Sequence, residues 1–280
     1  MSGPVPPATG PHRDNATLHR PAVERVVAAM RDDGADGPLS LRDMADVACL
    51  SPYHFSRVFK GVTGVPPGEF MGALRLERAK RLLLSTDLSV GEICFEVGYE
   101  SLGTFTSRFT RLVGVPPGRM RRLPEALGSA SEAVREFEPT PRASALPDGG
   151  VVFRAGPYLE RALIFVGLFP GVIPQGRPVA GTVLNKPGVG RLSPVPDGLY
   201  RLMAAALPYS DDPSKLLLPG DALRVGRGEH PVLVRGGRYE EVADVKLRPL
   251  RSTDPPVLVA LPALFLERLG FGKGPRQRAR

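Results

Sequence analysis

One short module is written twice in this chain, and that duplication limits the fold more than any other feature. The first copy runs Leu41-Arg-Asp-Met-Ala, then Leu50-Ser-Pro-Tyr-His-Phe-Ser-Arg-Val-Phe-Lys60, and closes on Gly64-Val-Pro-Pro-Gly68. About fifty residues on, Val90-Gly-Glu-Ile-Cys is followed by Tyr99-Glu-Ser-Leu-Gly-Thr-Phe-Thr-Ser-Arg-Phe109 and the same closing Gly114-Val-Pro-Pro-Gly118. Phe55 matches Phe105 and Phe59 matches Phe109, so the repeat is one of supersecondary structure. Two copies are too few for a solenoid.

Each copy carries its own start signals. Ser40 with Asp43, and Ser89 with Glu92, give the Ser-x-x-acid capping pattern ahead of an apolar run. Ser51 supplies an N-cap with Pro52 at the first helical position, and Ser101 is its counterpart. Helix, tight turn, helix is therefore expected in each copy. In the second helix of the first copy, Phe55, Val58, Phe59 and Val62 recur at helical spacing and form a buried stripe, leaving Tyr53, Ser56, Arg57 and Lys60 on the other face. Such a helix rests on a partner while offering donors to a groove, and the Arg57 fork matches guanine O6 and N7. In the second copy the outward stripe reads Gly103, Thr106, Ser107 and Thr110, with Arg108 expected inward beside Phe105, Phe109 and Leu112. Short hydroxyl side chains suit phosphates and thymine methyls but offer no bidentate fork.

At these residues the chain resembles the AraC/XylS family of bacterial transcription regulators. The resemblance covers about residues 22–123 and is most specific at Ser51 to Lys60, at Gly98-Tyr-Glu-Ser-Leu-Gly-Thr-Phe105 and at the two Gly-Val-Pro-Pro-Gly turns. It implies two helix-turn-helix modules joined by one long helix, here over residues 68–85. It implies DNA contacts through Tyr53, Ser56, Arg57 and Lys60 in the first module, and through Leu102, Gly103, Thr104, Thr106, Ser107, Thr110 and Arg111 in the second. The family commonly has an arginine where this chain has Ser107. A single connecting helix implies reading helices about one turn of B-DNA apart, near 34 Å.

Around the repeat, residues 1–20 hold four prolines and few large apolar side chains and are expected to form a disordered arm. Val23, Val26, Val27 and Met30 predict a short helix over residues 22–30. Residues 21–124 form the expected double helix-turn-helix domain. Residues 125–150 turn to Pro, Ala, Ser and Glu and read as a linker, long enough that the domains on either side need not touch. Short apolar or alternating runs follow at residues 163–169, 178–184, 198–206, 222–225, 232–235, 245–250 and 257–260, punctuated by Gly and Pro. Residues 151–270 are therefore expected to form a mostly β, sandwich-like domain, followed by a basic tail over 271–280. The expected fold class is multidomain, an all-α double helix-turn-helix domain followed by this mostly β domain.

Bulk charge does not carry the argument. The net charge is +8, yet residues 1–128 hold 16 Lys and Arg against 14 Asp and Glu, about +2, leaving about +6 for the rest. Placement matters more, because Tyr53 to Lys60 and Ser101 to Arg111 contain cations and no carboxylate, while Asp32, Asp33, Asp36, Asp43 and Asp46 precede the first reading helix. Cys49 and Cys94 stand apart with no Cys-x-x-Cys spacing, so two buried thiols are expected and no disulfide framework or zinc site. No nucleophile elbow, Walker loop or metalloprotease motif occurs, and Asp221, Glu240, Glu241 and Asp244 read as solvated turn and strand-edge residues. No catalytic residue, metal ligand or cofactor is expected. Without a long apolar run or signal-peptide core, a cytoplasmic protein with no membrane contact is expected. The function indicated is a sequence-specific DNA-binding transcription regulator; the alternative is a ligand- or protein-binding β module localised to DNA by a weakly specific helix-turn-helix domain. Double-stranded DNA is the expected partner, with RNA polymerase, and a small-molecule effector or a second copy of the chain through the C-terminal domain, as further candidates.

Overall fold

The computed structural model describes residues 12–32, 39–137, 150–156, 162–210 and 212–271. A helical region is followed by a strand-rich region with open sheets. The chain divides into two compact units, Met1–Arg75 with Arg251–Pro256, and Leu76–Leu250 with Val257–Arg280.

The first unit holds α1 (His12–Arg31), α2 (Leu41–Val47), α3 (Pro52–Thr63) and the start of α4 (Pro67–Ser85). Val23, Val26, Val27 and Met30 of α1 are buried with Met44, Phe55, Phe59 and Phe70. Phe59 meets Phe55 and Phe70 with ring centroids 5.4 Å apart in each pair. Such a cluster of rings fixes how α3 lies on its neighbours. The helix expected over 22–30 is longer, starting at His12, so residues 12–20 of the expected disordered arm are helical; Pro21 removes one ladder hydrogen bond without ending the helix. The rest of the arm, residues 1–11, lies outside the described residues.

The turns inside the two modules are built alike. In the first, Cys49 N donates to Asp46 O and Leu50 N to Ala45 O; in the second, Gly98 N donates to Phe95 O and Tyr99 N to Cys94 O. Cys49 and Gly98 both sit at positive φ, 56° and 78°. The expectation of two buried thiols is thus corrected at Cys49, which the left-handed turn leaves exposed, whereas Cys94 is buried. Burial pushes the Cys94 thiol up from its ordinary value.

The second unit takes the chain from the rest of α4 through α5 (Val90–Glu96), α6 (Leu102–Val113), α7 (Pro117–Arg121), α8 (Leu123–Ser129) and α9 (Ser131–Arg135). Helices α8 and α9 occupy the first part of the stretch read as a linker, and residues 138–149 lie outside the described residues. The strands are β1 (Gly150–Ala155), β2 (Ala162–Phe169), β3 (Ala180–Leu184), β4 (Gly188–Leu192) and β5 (Gly198–Pro208), then α10 (Pro213–Leu217), β6 (Arg224–Arg227), β7 (Val232–Val234), β8 (Arg238–Val245), β9 (Arg248–Pro249) and α11 (Leu261–Arg268).

One sheet has the order β4-β1-β8, with β1 antiparallel to β4 and parallel to β8. The other runs β3-β2-β5-β6-β9, antiparallel throughout, with β7 also paired to β5. Alternate residues of both sheets, among them Val151, Phe153, Ile164, Val166, Leu202 and Ala204, enter one apolar cluster. Strand β2 is buried along its whole length. Its other face is covered as well, Phe169 packing with Met203 and Val259 and Phe165 lying edge-on to Phe265 of α11 at 6.2 Å. Two covered faces explain the unbroken apolar run at Leu163 to Phe169. The stretch expected as a strand over 257–260 belongs to neither sheet and leads into α11, whose buried Ala263, Phe265 and Leu266 form a helical stripe.

Within this unit the helices and the strand-rich region are joined directly, unlike domains that need not touch. Ala260 N donates to Val113 O at 3.0 Å, Gly176 N donates to Leu112 O, and Phe137 packs edge-on to Phe265 at 4.8 Å. No described helix is long and apolar enough to cross a membrane.

Candidate nucleic-acid interface

Four caps aim the helices of the two modules. Ser40 Oγ accepts from Asp43 N at 3.2 Å while Asp43 Oδ2 accepts from Ser40 N at 2.8 Å; Ser89 and Glu92 repeat the box at 3.1 and 2.7 Å. The hydrogen bonds from Ser40 and Ser89 hold the Asp43 and Glu92 carboxyls below their ordinary range. The reading helices start on single caps, Ser51 Oγ accepting from His54 N and Ser101 Oγ from Thr104 N, each at 3.4 Å. Both end on a left-handed glycine, Gly64 and Gly114, whose N–H donates to Lys60 O and Thr110 O.

On α3 the apolar stripe faces in and the polar stripe out. Tyr53 is 76% exposed, and Arg57 and Lys60 are exposed beside it. The Arg57 guanidinium carbon lies 5.9 Å from the Tyr53 ring centroid, within reach of a cation–π contact that steadies both groups. Ser56 is half-buried, and its hydroxyl donates to Pro52 O at 2.9 Å, leaving its lone pairs for a donor from outside. His54 joins the exposed row, its ring 5.5 Å from that of His19. Its spacing three residues before Arg57 was a signal available in the sequence.

On α6, Leu102, Gly103, Thr104, Ser107 and Arg111 are exposed, and Thr106 and Thr110 are half-buried. The inward placing of Arg108 is corrected: Arg108 is exposed, although its counterpart Val58 in α3 is buried. An unpaired guanidinium is too costly to bury, and its long stem lets the head reach water from the edge of an apolar stripe. Arg108 thus joins the expected Arg111 to give α6 two exposed cations one turn apart.

Away from the modules, Asp221, Glu240, Glu241 and Asp244 are exposed, as expected of solvated residues. Among the described residues no three His, Cys, Asp or Glu side chains form a group that could hold a metal ion.

A family model described as a helix-turn-helix domain matches residues 44–123. The chain is similar to the HTH-type transcriptional regulator GlxA of Rhizobium meliloti, 32% identical over 122 residues, covering 44% of this chain and 37% of that protein. It is also similar to the HTH-type transcriptional activator AarP of Providencia stuartii, 32% identical over 83 residues, covering 30% of this chain and 62% of that one. The chain therefore spans less than two thirds of the curated relatives it matches. Among solved structures, a transcriptional regulator from Chromobacterium violaceum with an AraC-type DNA-binding domain is 28% identical, covering 38% of this chain and 93% of that one with a TM-score of 0.35.

Proposed function

Residues 44–123 are a helix-turn-helix domain of the AraC type, and from that premise we propose that the chain is a sequence-specific transcription regulator that reads double-stranded DNA with α3 and α6. The observation that carries this reading is the exposed row Tyr53, His54, Arg57 and Lys60 on a helix whose opposite face is locked by Phe55 and Phe59. Arg57 suits a guanine edge, Tyr53 and Ser56 neighbouring bases, and Lys60 a phosphate. On α6, Arg108 and Arg111 supply charge to the backbone, while Leu102, Gly103, Thr104, Thr106, Ser107 and Thr110 give close, small-sided contacts.

The strand-rich region is read as sandwich-like, supported by the single apolar cluster drawn from both sheets. It acts as an effector or interaction region that performs no chemistry, in a cytoplasmic protein. A small effector or a second copy of the chain is its proposed partner, and RNA polymerase is a further proposed partner of the protein. Gel shifts with a DNA pool enriched on the full chain test the reading. Saturable binding of a few related sites, resistant to excess random duplex, supports it; salt-sensitive binding indifferent to sequence favours a β module merely localised to DNA.

A further inference from the structure

The last turns of the two reading helices, where carbonyls run out of partners within the helix, are held by different groups. In α3, the Thr63 hydroxyl braces the turn from inside: Oγ1 donates to Phe59 O at 2.9 Å and accepts from Val65 N at 3.2 Å. The same position in α6 is Val113, which has no hydroxyl. There the partners come from the strand-rich region, Gly176 N donating to Leu112 O and Ala260 N to Val113 O.

Gly176 is suited to that approach. Its φ is +68°, and a Cβ built on it would lie 3.0 Å from Arg111 O, the carbonyl of one of the exposed cations of α6. The next residue, Arg177, holds Glu267 of α11 through both Nη atoms, at 2.8 and 2.9 Å. The same carboxylate takes Arg119 of α7 at 2.8 Å. Glu267 thus ties the loop that caps α6 to the helix that follows α6. A carboxylate shared by two guanidinium groups, one of them bidentate, holds geometry better than a lone exposed pair.

Resting on the DNA-reading proposal, we infer that Gly176 and Glu267 are positioning residues for the second reading helix: they set the direction of its last turn, and with it the sequence preference of the α6 half of the site. The first reader is self-braced by Thr63; the second depends on the strand-rich region.

The test uses the full chain as wild type, Gly176→Ala, Glu267→Gln, and Glu267→Gln combined with Val113→Thr, which restores the missing hydroxyl. Hydrogen exchange read by mass spectrometry is expected to speed up by about tenfold across 104–121 in both single variants, to stay unchanged across 54–63, and to recover in part with Val113→Thr. DNA selection with the same proteins is expected to lose preference in one block of the selected site and keep it in the other. Unchanged exchange across 104–121, or equal loosening of both reading helices, overturns the inference. A full chain that selects no sequence at all overturns the regulator reading instead, and the exchange data still decide whether the strand-rich region braces α6.

Discussion

Lys80, on the helix between the two modules, donates its ammonium to the main-chain carbonyl of Val257 at 3.0 Å. Burial pushes this lysine down from 10.5 to about 8, only partly offset by the carboxylate of Glu77. The folded chain therefore sheds the proton before the unfolded chain does, and between those values the unfolded chain holds more protons. Stability rises with pH across that window, by on the order of 1 kcal/mol for a half-buried group. Urea midpoints of wild type and Lys80→Met, compared below pH 8 and near pH 10.5, should show this rise in the wild type alone. A rise of equal size in both proteins would remove Lys80 as its source.

Cys49 holds a left-handed conformation at φ 56°, where the second module uses Gly98. Relief of left-handed strain, about 1 to 2 kcal/mol, exceeds the added freedom of an unfolded glycine, about 0.5 to 1 kcal/mol. Cys49→Gly is expected to stabilise the chain by roughly 0.5 to 1 kcal/mol, read as a raised midpoint in thermal or urea unfolding. A lowered midpoint would mean that the thiol makes a contact worth more than the strain.

The helical part was legible because each start signal sits beside the stripe it serves: Ser40, Ser51, Ser89 and Ser101 all cap where their spacing indicated. Arg108 was misplaced because periodicity assigns a position to a stripe and does not say how far a long stem carries its head. Strand β4 gave little sign of itself, since Gly190 leaves no side chain to alternate; a Cβ there would lie 2.5 Å from Phe153 Cζ, so the partner ring fills that place. The run over 257–260 was expected to be a strand, and α11 just after it was not foreseen, because periodicity alone does not settle the element type of a short apolar run. Glu267, with partners 90 residues away at Arg177 and further back at Arg119, left no local trace.

Arg57→Ala is expected to relax discrimination at one or two base pairs, by roughly 1 to 3 kcal/mol, while Lys60→Ala weakens all sequences about equally and lowers the salt slope by about one. Competition binding against single-base variants of a selected site separates the two. Equal loss on specific and random DNA for Arg57→Ala would make Arg57 a phosphate contact only.

Arg108→Ala is expected to weaken binding more than Ser107→Ala, and to lower the salt slope by about one where Ser107→Ala leaves it unchanged. The motivating observation is that Arg108 is exposed where Val58 is buried in the first module. Salt titrations of binding decide it, and an unchanged slope for Arg108→Ala would leave its head clear of the phosphates.

The central claim, that this chain reads duplex sequence with two helices, is tested most directly by selecting binding sites from random duplex DNA with the full chain and with Arg57→Ala and Arg108→Ala. The account predicts a recurring site with two preferred blocks, the first flattened by Arg57→Ala and retained by Arg108→Ala. A selected pool with no recurring block, or one whose pattern survives Arg57→Ala unchanged, would contradict it.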